Sequence, residues 1–295
     1  MRFFILIFCI LFSSSIIAQQ VSDTSYAPPA FEKKYDYGSG PIVTIDEAHY
    51  NFHTAGGRYS PFASVLKSDG YTVKEGKKLF TAEYLNQTYI LVISNALNPK
   101  DTSEWIAPNP SAFTREEINA VTNWVMNGGS LFLIADHMPF AGAAADLASS
   151  FGVTFYNGFA MDSVLKPDFD LFTTTDKTLL NTALTADIDS IVTFTGQAFD
   201  IPAEANPVLK LSDHFMLYMC TEAWKLTDNT IRIPAKDKIQ LAYMNYGKGK
   251  IVFSGEAAMF SAQISGKGKK TGMNSDMGKN NYKLLLNIMH WLSER

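Results

Sequence analysis

Acids and imidazoles follow directly after predicted strands at three places in this 295-residue chain. The first group lies in IDEAHYNFHT, after the strand PIVTID, and comprises Asp46, Glu47, His49, Asn51 and His53. The second is the pair Asp136 and His137 in LFLIADHMPFAG, and the third is Glu256 in VFSGEAAMF. The carboxyl ends of parallel strands meet at one edge of a sheet, so these groups are predicted to converge on one pocket.

Asp136 and His137 carry the strongest signal of the three. Successive strand residues point to opposite faces, so the two side chains cannot both enter the core from a regular strand. At the turn after the strand, both can face a cleft. An unpaired buried charge would be costly there, and a histidine beside an acid is the usual device for proton transfer near neutral pH. The alternative is a strand end that faces water.

The candidate residues support two kinds of chemistry. Acid/base catalysis of water attack would use the following set: Asp46, Glu47, Asp136, His137 and Glu256. A divalent metal such as zinc would take its ligands from His49, His53 and His137, leaving one position open. Substrate would contact Asn51, Arg58 and Phe140. A plainer interpretation of DEAH is a helix cap, because acids there satisfy free backbone amides.

Strands and helices alternate through the first half of the chain. Apolar runs at 41–46, 71–73, 89–94 and 130–136 predict strands, and helical spacing recurs at 58–70, 113–129 and 141–152. Thr114 and Glu117 form a predicted capping box for the second of these helices. This alternation with short connections predicts a parallel sheet with helices on both faces.

The second half is less regular. Residues 153–237 contain short apolar runs and many turn residues, 239–260 is typical of a hairpin around YGKGK, and 280–295 is an amphipathic helix. No linker is evident after residue 40, so residues 40–295 are predicted to form a single α/β domain.

The N-terminus has the pattern of an export signal. Residues 1–18 combine one positive charge, an apolar core and small residues, which predicts a secretory signal peptide cleaved near Ala18. The alternative is a membrane anchor, but the apolar run is short and is broken by serines. Residues 19–39 are polar, contain adjacent prolines and are interpreted as a linker. The protein is therefore expected to be periplasmic or secreted, meeting the membrane only through this transient segment.

The charge composition indicates which classes of binding partner are to be expected. The formal net charge is −4 and the one basic cluster, GKGKK at 266–270, lies among glycines, so a nucleic-acid partner is not expected. A small molecule or a glycan fits better. After cleavage one cysteine remains, Cys220, which lies in the apolar run FMLYMC and is interpreted as a buried hydrophobic residue rather than a nucleophile.

Four segments together resemble a known superfamily: IVTIDEAHYN, YILVISNA, EINAVTNWVMNGGSLFLIADH and KGKIVFSGEAAMF. In this order they resemble a bacterial family of unknown function within the class I glutamine-amidotransferase-like superfamily. The resemblance covers about residues 40–295 and implies a flavodoxin-like three-layer α/β sandwich with a mainly parallel sheet. True amidotransferases carry a cysteine nucleophile after the strand equivalent to LFLIADH. This chain has Asp136 and His137 there instead, so glutaminase activity is not carried over.

The sequence favours two functions over a third, a structural or assembly role in the cell envelope, for which it offers no repeat or exposed apolar strip. The first is an exported hydrolase that acts on a glycan, ester or amide by acid/base or metal-assisted water attack. The second is a non-catalytic accessory domain of the cell envelope that binds carbohydrate or peptide. Several acids and histidines in one place favour the enzyme, because unpaired charges are expensive to hold in a simple binding cleft.

Overall fold

The computed structural model describes residues 20–165 and 168–294. The predicted signal peptide and its cleavage site near Ala18 lie outside the described residues. Within the described ranges, no helix has the length and apolar character that crossing a membrane requires.

Five α-helices lie in the described ranges, and four of them fall in the segments where the sequence predicts helices. Their bounds are α1 Ser60–Ser68, α2 Ala82–Leu85, α3 Arg115–Met126, α4 Phe140–Ser149 and α5 Asn281–Ser293. The capping box predicted for α3 is confirmed: the Thr114 hydroxyl accepts from the Glu117 N–H, and the Glu117 carboxylate accepts from the Thr114 N–H. Only α2 has no counterpart in the sequence prediction.

The strands are numerous and mostly short. Their bounds are β1 Val21–Ser22, β2 Ile42–Asp46, β3 Thr72–Gly76, β4 Ile90–Ser94, β5 Ser130–Ile134, β6 Thr154–Phe155, β7 Phe159–Asp162, β8 Asp170–Thr173, β9 Ser190–Thr193, β10 Phe199–Asp200, β11 Asn206–Lys210, β12 Phe215–Met219, β13 Ile231–Pro234, β14 Ile239–Tyr246, β15 Gly249–Ser254, β16 Ala262–Ser265 and β17 Lys269–Gly272.

The largest sheet has nine strands and is mixed. Its order is β3-β2-β4-β5-β15-β14-β10-β6, with β11 pairing to β14. The pairs β2–β3, β2–β4, β4–β5 and β5–β15 are parallel. The β14–β15 hairpin predicted around YGKGK is confirmed and is antiparallel, as are the pairs beyond it.

The predicted flavodoxin-like sandwich with a mainly parallel sheet is wrong. Three further sheets, β1-β16-β17, β13-β12-β7 and β8-β9, contain antiparallel pairs throughout. The structure is a mixed α/β fold with several sheets, mostly antiparallel strands and few helices. The physical reason is the segment from 153 to 246. It folds as short strands joined by turns, with no described helix to carry the chain back for a parallel crossover.

Apolar side chains cover both faces of the parallel part. On one face, Val43, Ile90 and Phe132 pack in a core with α1 and α5. On the other, Leu91 and Leu131 pack with α3 and α4. Side chains alternate along a strand, so strands covered on both faces are apolar at every position, as in YILVIS and SLFLI. This core fixes the carboxyl ends of β2, β4, β5 and β15 side by side.

Residues 20–39, interpreted from the sequence as a linker, are in contact with the domain. β1 pairs with β16 in register Val21 to Ile264. Tyr26, Phe31 and Tyr35 pack against the core of the first face. The Lys34 N–H donates to the Asp69 carboxylate at 2.7 Å. This arm brings Gln20 to the cleft described next.

Candidate functional site

A cleft of about 890 Å³ lies over the carboxyl ends of the parallel strands. Each of four neighbouring strands contributes to it: His53 and Arg58 follow β2, Asn95 follows β4, Asp136 and His137 follow β5, and Ala258 follows β15. The strand ends therefore share one edge and form one cavity.

Asp136 and His137 lie on the floor of this cleft, although they are only 7% and 8% exposed. The Asp136 N–H donates to the Asn95 side-chain oxygen at 2.9 Å, and the His137 N–H donates to Asp136 Oδ1 at 2.8 Å. The turn after β5 therefore ends at a cleft rather than in water, and Asn95 joins it to the neighbouring strand.

The ring of His137 is held in one orientation. Its Nδ1 lies 2.6 Å from the Met138 carbonyl oxygen, which can only accept, so Nδ1 carries the hydrogen. The ring stacks on Phe159 at 4.4 Å and meets the edge of Trp224 at 4.7 Å between centroids. Nε2 has no hydrogen-bond partner among residues 20–165 and 168–294, so in the neutral ring it offers a lone pair to a ligand.

Glu256 lies behind the cleft rather than in it. It is fully buried, and its carboxylate accepts from the backbone N–H groups of Ala258 and Met259 at 2.9 and 2.7 Å. Burial, then the charge of Asp136, raises the pKa of Glu256 well above its ordinary value. Burial also raises the pKa of Asp136 against the lowering effect of His137. Asp136 therefore holds a proton more readily than an exposed aspartate does.

His53 and Arg58 also line the cleft. Burial, and then the charge of Arg58, lowers the pKa of His53 to about 3, so its ring is neutral. Its Nδ1 lies 3.4 Å from the Ser94 hydroxyl. The Arg58 guanidinium lies 3.8 Å above the centre of the Phe52 ring. Phe140, predicted as a substrate contact, lies 5.4 Å from Phe52 and also lines the cleft.

The DEAH segment forms a buried network outside the cleft. His49 Nδ1 lies 2.9 Å from Asp46 Oδ2, and its Nε2 lies 2.8 Å from Glu117 Oε1. None of the three lines the cleft. The Asn51 side chain donates to Asp46 and to the Ser94 carbonyl, and Glu47 accepts from the Ala55 N–H. This network ties the loop after β2 to the start of α3.

The three histidines proposed as metal ligands are not brought into one group. Both ring nitrogens of His49 are occupied by carboxylates, whereas His53 and His137 lie in the cleft. Across the part of the chain that the structure describes, no three His, Cys, Asp or Glu side chains are arranged to hold a metal ion.

Several cleft residues were missed from the sequence. Asn95, Thr195 and Trp224 line the cleft with positive φ values of 48°, 84° and 65°. Positive φ is uncommon for threonine and tryptophan, whereas asparagine adopts it more readily. Asn95 directly follows the apolar run YILVIS, so the strand-end rule could have found it. Trp224 and Trp105 stand out only as large aromatic residues in polar loops.

The buried charges around His49 predict a pH-dependent stability. Burial opposes protonation of His49, but hydrogen bonds and charges from Asp46 and Glu117 outweigh it and raise its pKa above 6.5. This stabilisation is complete below the unfolded-state value of about 6.5 and is lost as pH rises through the folded-state value. Urea unfolding of the wild type and His49→Gln from pH 6 to 9 should show their difference in unfolding free energy shrinking. A constant difference would contradict the ion pairs.

Comparisons with known proteins identify the fold and not the activity. No family model matches the chain, and no curated protein matches it. Solved structures do match. The N-terminal domain of mmIFT52 is 15% identical, with 86% of this chain and 98% of that one covered at a TM-score of 0.61. A ThuA-like protein from Bacteroides uniformis is 17% identical, with 88% and 95% covered at 0.50.

A cytoplasmic protein from Salmonella typhimurium is 13% identical, with 86% of this chain and 99% of that one covered at a TM-score of 0.51. Identities this low show the fold alone. The ThuA-like protein is thus similar to this chain in fold.

Proposed function

We propose that this cleft is the active site of a hydrolase that works by acid/base catalysis. His137 Nε2 takes a proton from the attacking water, and Asp136 donates a proton to the leaving group. The elements of water thereby add across the bond that breaks. The observation that carries this proposal is the fixed His137 ring. Its Nδ1–H points to Met138, and Nε2 has no hydrogen-bond partner among the described residues in a cleft that Asp136 also lines.

The aromatic lining favours a glycan over a simple ester or amide. Trp105 lies 5.8 Å from Phe52 and 5.2 Å from Phe140, and Trp224 is 55% exposed at the rim beside His137. Flat apolar rings beside polar groups suit the faces and hydroxyls of a sugar. The substrate is therefore proposed to be an oligosaccharide whose scissile bond lies over Asp136 and His137.

We further propose that the chain belongs to a bacterial family of unknown function within the class I glutamine-amidotransferase-like superfamily. We also propose that the protein is located in the periplasm or outside the cell. The support for the first is the set of four sequence segments together with the ThuA-like neighbour. The support for the second is the apolar, serine-containing leader of residues 1–18.

A non-catalytic carbohydrate- or peptide-binding role is the second candidate. The observation that favours it is the exposed Trp224, which packs on Phe159 at 4.5 Å and would serve as a binding platform without any chemistry. Binding without turnover in a broad substrate screen would select this role.

The test is a hydrolysis screen of glycans, esters and amides with the wild type and Asp136→Asn. We expect product from at least one glycan, and a loss in kcat of about 10² or more in the variant, because proton donation to the leaving group is removed. Asp213→Asn is the matched control, since that side chain is 68% exposed and outside the cleft lining. A glycan that binds without turnover, or activity abolished by a chelator, would contradict the proposed mechanism.

A further inference from the structure

Arg58 is a cation in the cleft without an anionic partner. Its side chain is half-buried, and its guanidinium packs on the Phe52 ring at 3.8 Å. The structure gives it no hydrogen bond or ion pair to any described residue, and its Nε is buried without a partner. Burial alone lowers the pKa of Arg58. A guanidinium has five donors in a fixed fork, and a ligand that reaches Arg58 could accept from several of them at once.

No other charged residue that lines the described cleft pairs with Arg58. Lys269 forms an ion pair with Asp168 at 3.2 Å, so those two charges compensate each other. Asp136 accepts a hydrogen bond from the His137 N–H at 2.8 Å and forms no ion pair with Arg58. Among the described cleft residues, Arg58 is thus a cation that forms no ion pair, and an anionic group on a ligand would match it.

Arg58 lies in the same cleft as His137, at the other end of a row of aromatic rings. Phe52 lies 5.4 Å from Phe140, and Phe140 lies 5.9 Å from His137. Arg58 is therefore separated from His137 by two aromatic side chains that line the same cleft. A ligand spanning this path would have an anionic group at one end, a flat ring over the aromatic residues and its scissile bond at the other end.

We propose that the cleft selects a glycan that carries a carboxylate, a uronic acid unit, with Arg58 binding the carboxylate through paired N–H donors. A planar carboxylate matches the guanidinium fork. A phosphate dianion would call for a second free cation, which the described cleft residues do not provide. This inference rests on the proposed function for placing a glycan here, but it does not require turnover.

The experiment measures binding by calorimetry in His137→Gln, in which hydrolysis is expected to be slow. The probes are trimers of galacturonate and of mannuronate, each compared with its methyl ester, which has the same shape without the charge. At least one acid should bind about tenfold or more tightly than its ester. Arg58→Met, added to His137→Gln, keeps the contact with Phe52 and should remove this preference while leaving the affinity for the ester unchanged.

Arg115→Met in the same background is the matched control, because Arg115 is exposed on α3 and outside the cleft lining. It should keep the preference for the acid. Equal affinity for acid and ester, no binding of either acid, or a preference that survives Arg58→Met would overturn the inference. Acid-selective binding by a wild type that hydrolyses no glycan would defeat the proposed hydrolase and leave this inference standing.

Discussion

Replacing His137 with glutamine is expected to lower kcat by a factor of about 10² to 10⁴, the usual contribution of a positioned general base. Glutamine keeps a polar side chain of similar reach but cannot accept a proton from water. KM should change little, because the aromatic residues and Arg58 that hold the substrate remain. The measurement is the steady-state rate on the glycan found in the hydrolysis screen, with kcat and KM determined separately.

The control is His214→Gln. His214 has a side chain that is 45% exposed, lies beside Asp162 and is outside the cleft lining, so its variant should keep the wild-type rate. A kcat within about threefold of wild type in His137→Gln would correspond to less than 1 kcal/mol and would remove His137 from the chemistry.

Replacing His49 with alanine is expected to cost about 3–5 kcal/mol of folding free energy, because breaking a buried ion pair leaves uncompensated charges. Asp46 is fully buried and Glu117 is 5% exposed, so two carboxylates would lose their shared partner. The rings of Phe80 and Phe113, at 4.6 and 4.8 Å from His49, would also lose a packing contact. Urea denaturation at pH 6, where the ring is protonated, measures this cost.

Two further variants make the interpretation specific. His214→Ala removes a partly exposed imidazole and should change stability by no more than about 0.5 kcal/mol. Adding Asp46→Asn and Glu117→Gln to His49→Ala should recover part of the loss, because the buried charges are then gone and glutamine preserves the capping box. A loss below about 1 kcal/mol in His49→Ala would show that the network contributes little.

The strand-end pattern predicted the position of the cleft better than it predicted which residues line it. Asp136 and His137 lie in it because the turn after β5 opens towards the edge of the sheet. His49 does not, although it also follows a strand. Its ring turns towards Glu117, which is distant in sequence. The sequence assigned Glu117 to the capping box of α3, so nothing indicated that it would also contact a histidine. Residue type and spacing do not determine which way a side chain points in a turn.

The fold could be predicted only where the periodicity was long and regular. The alternation up to α4 placed β2, β4 and β5 together with α1, α3 and α4, but not α2. Short apolar runs such as FMLYM and IRIP carry no information on whether their partners are parallel or antiparallel, so the mixed sheet and the smaller sheets were missed. Trp224 belongs to one of these irregular segments, which is why the rim of the cleft was not found.

The most direct test of the proposed hydrolase is a crystal structure of His137→Gln with the bound glycan from the hydrolysis screen. We expect the glycan in the cleft above the ends of β4 and β5, with the scissile linkage within about 3 Å of Asp136 and one water away from residue 137. A glycan bound outside this cleft, or one whose linkage lies beyond reach of both residues, would rule out Asp136 and His137 as the reacting pair.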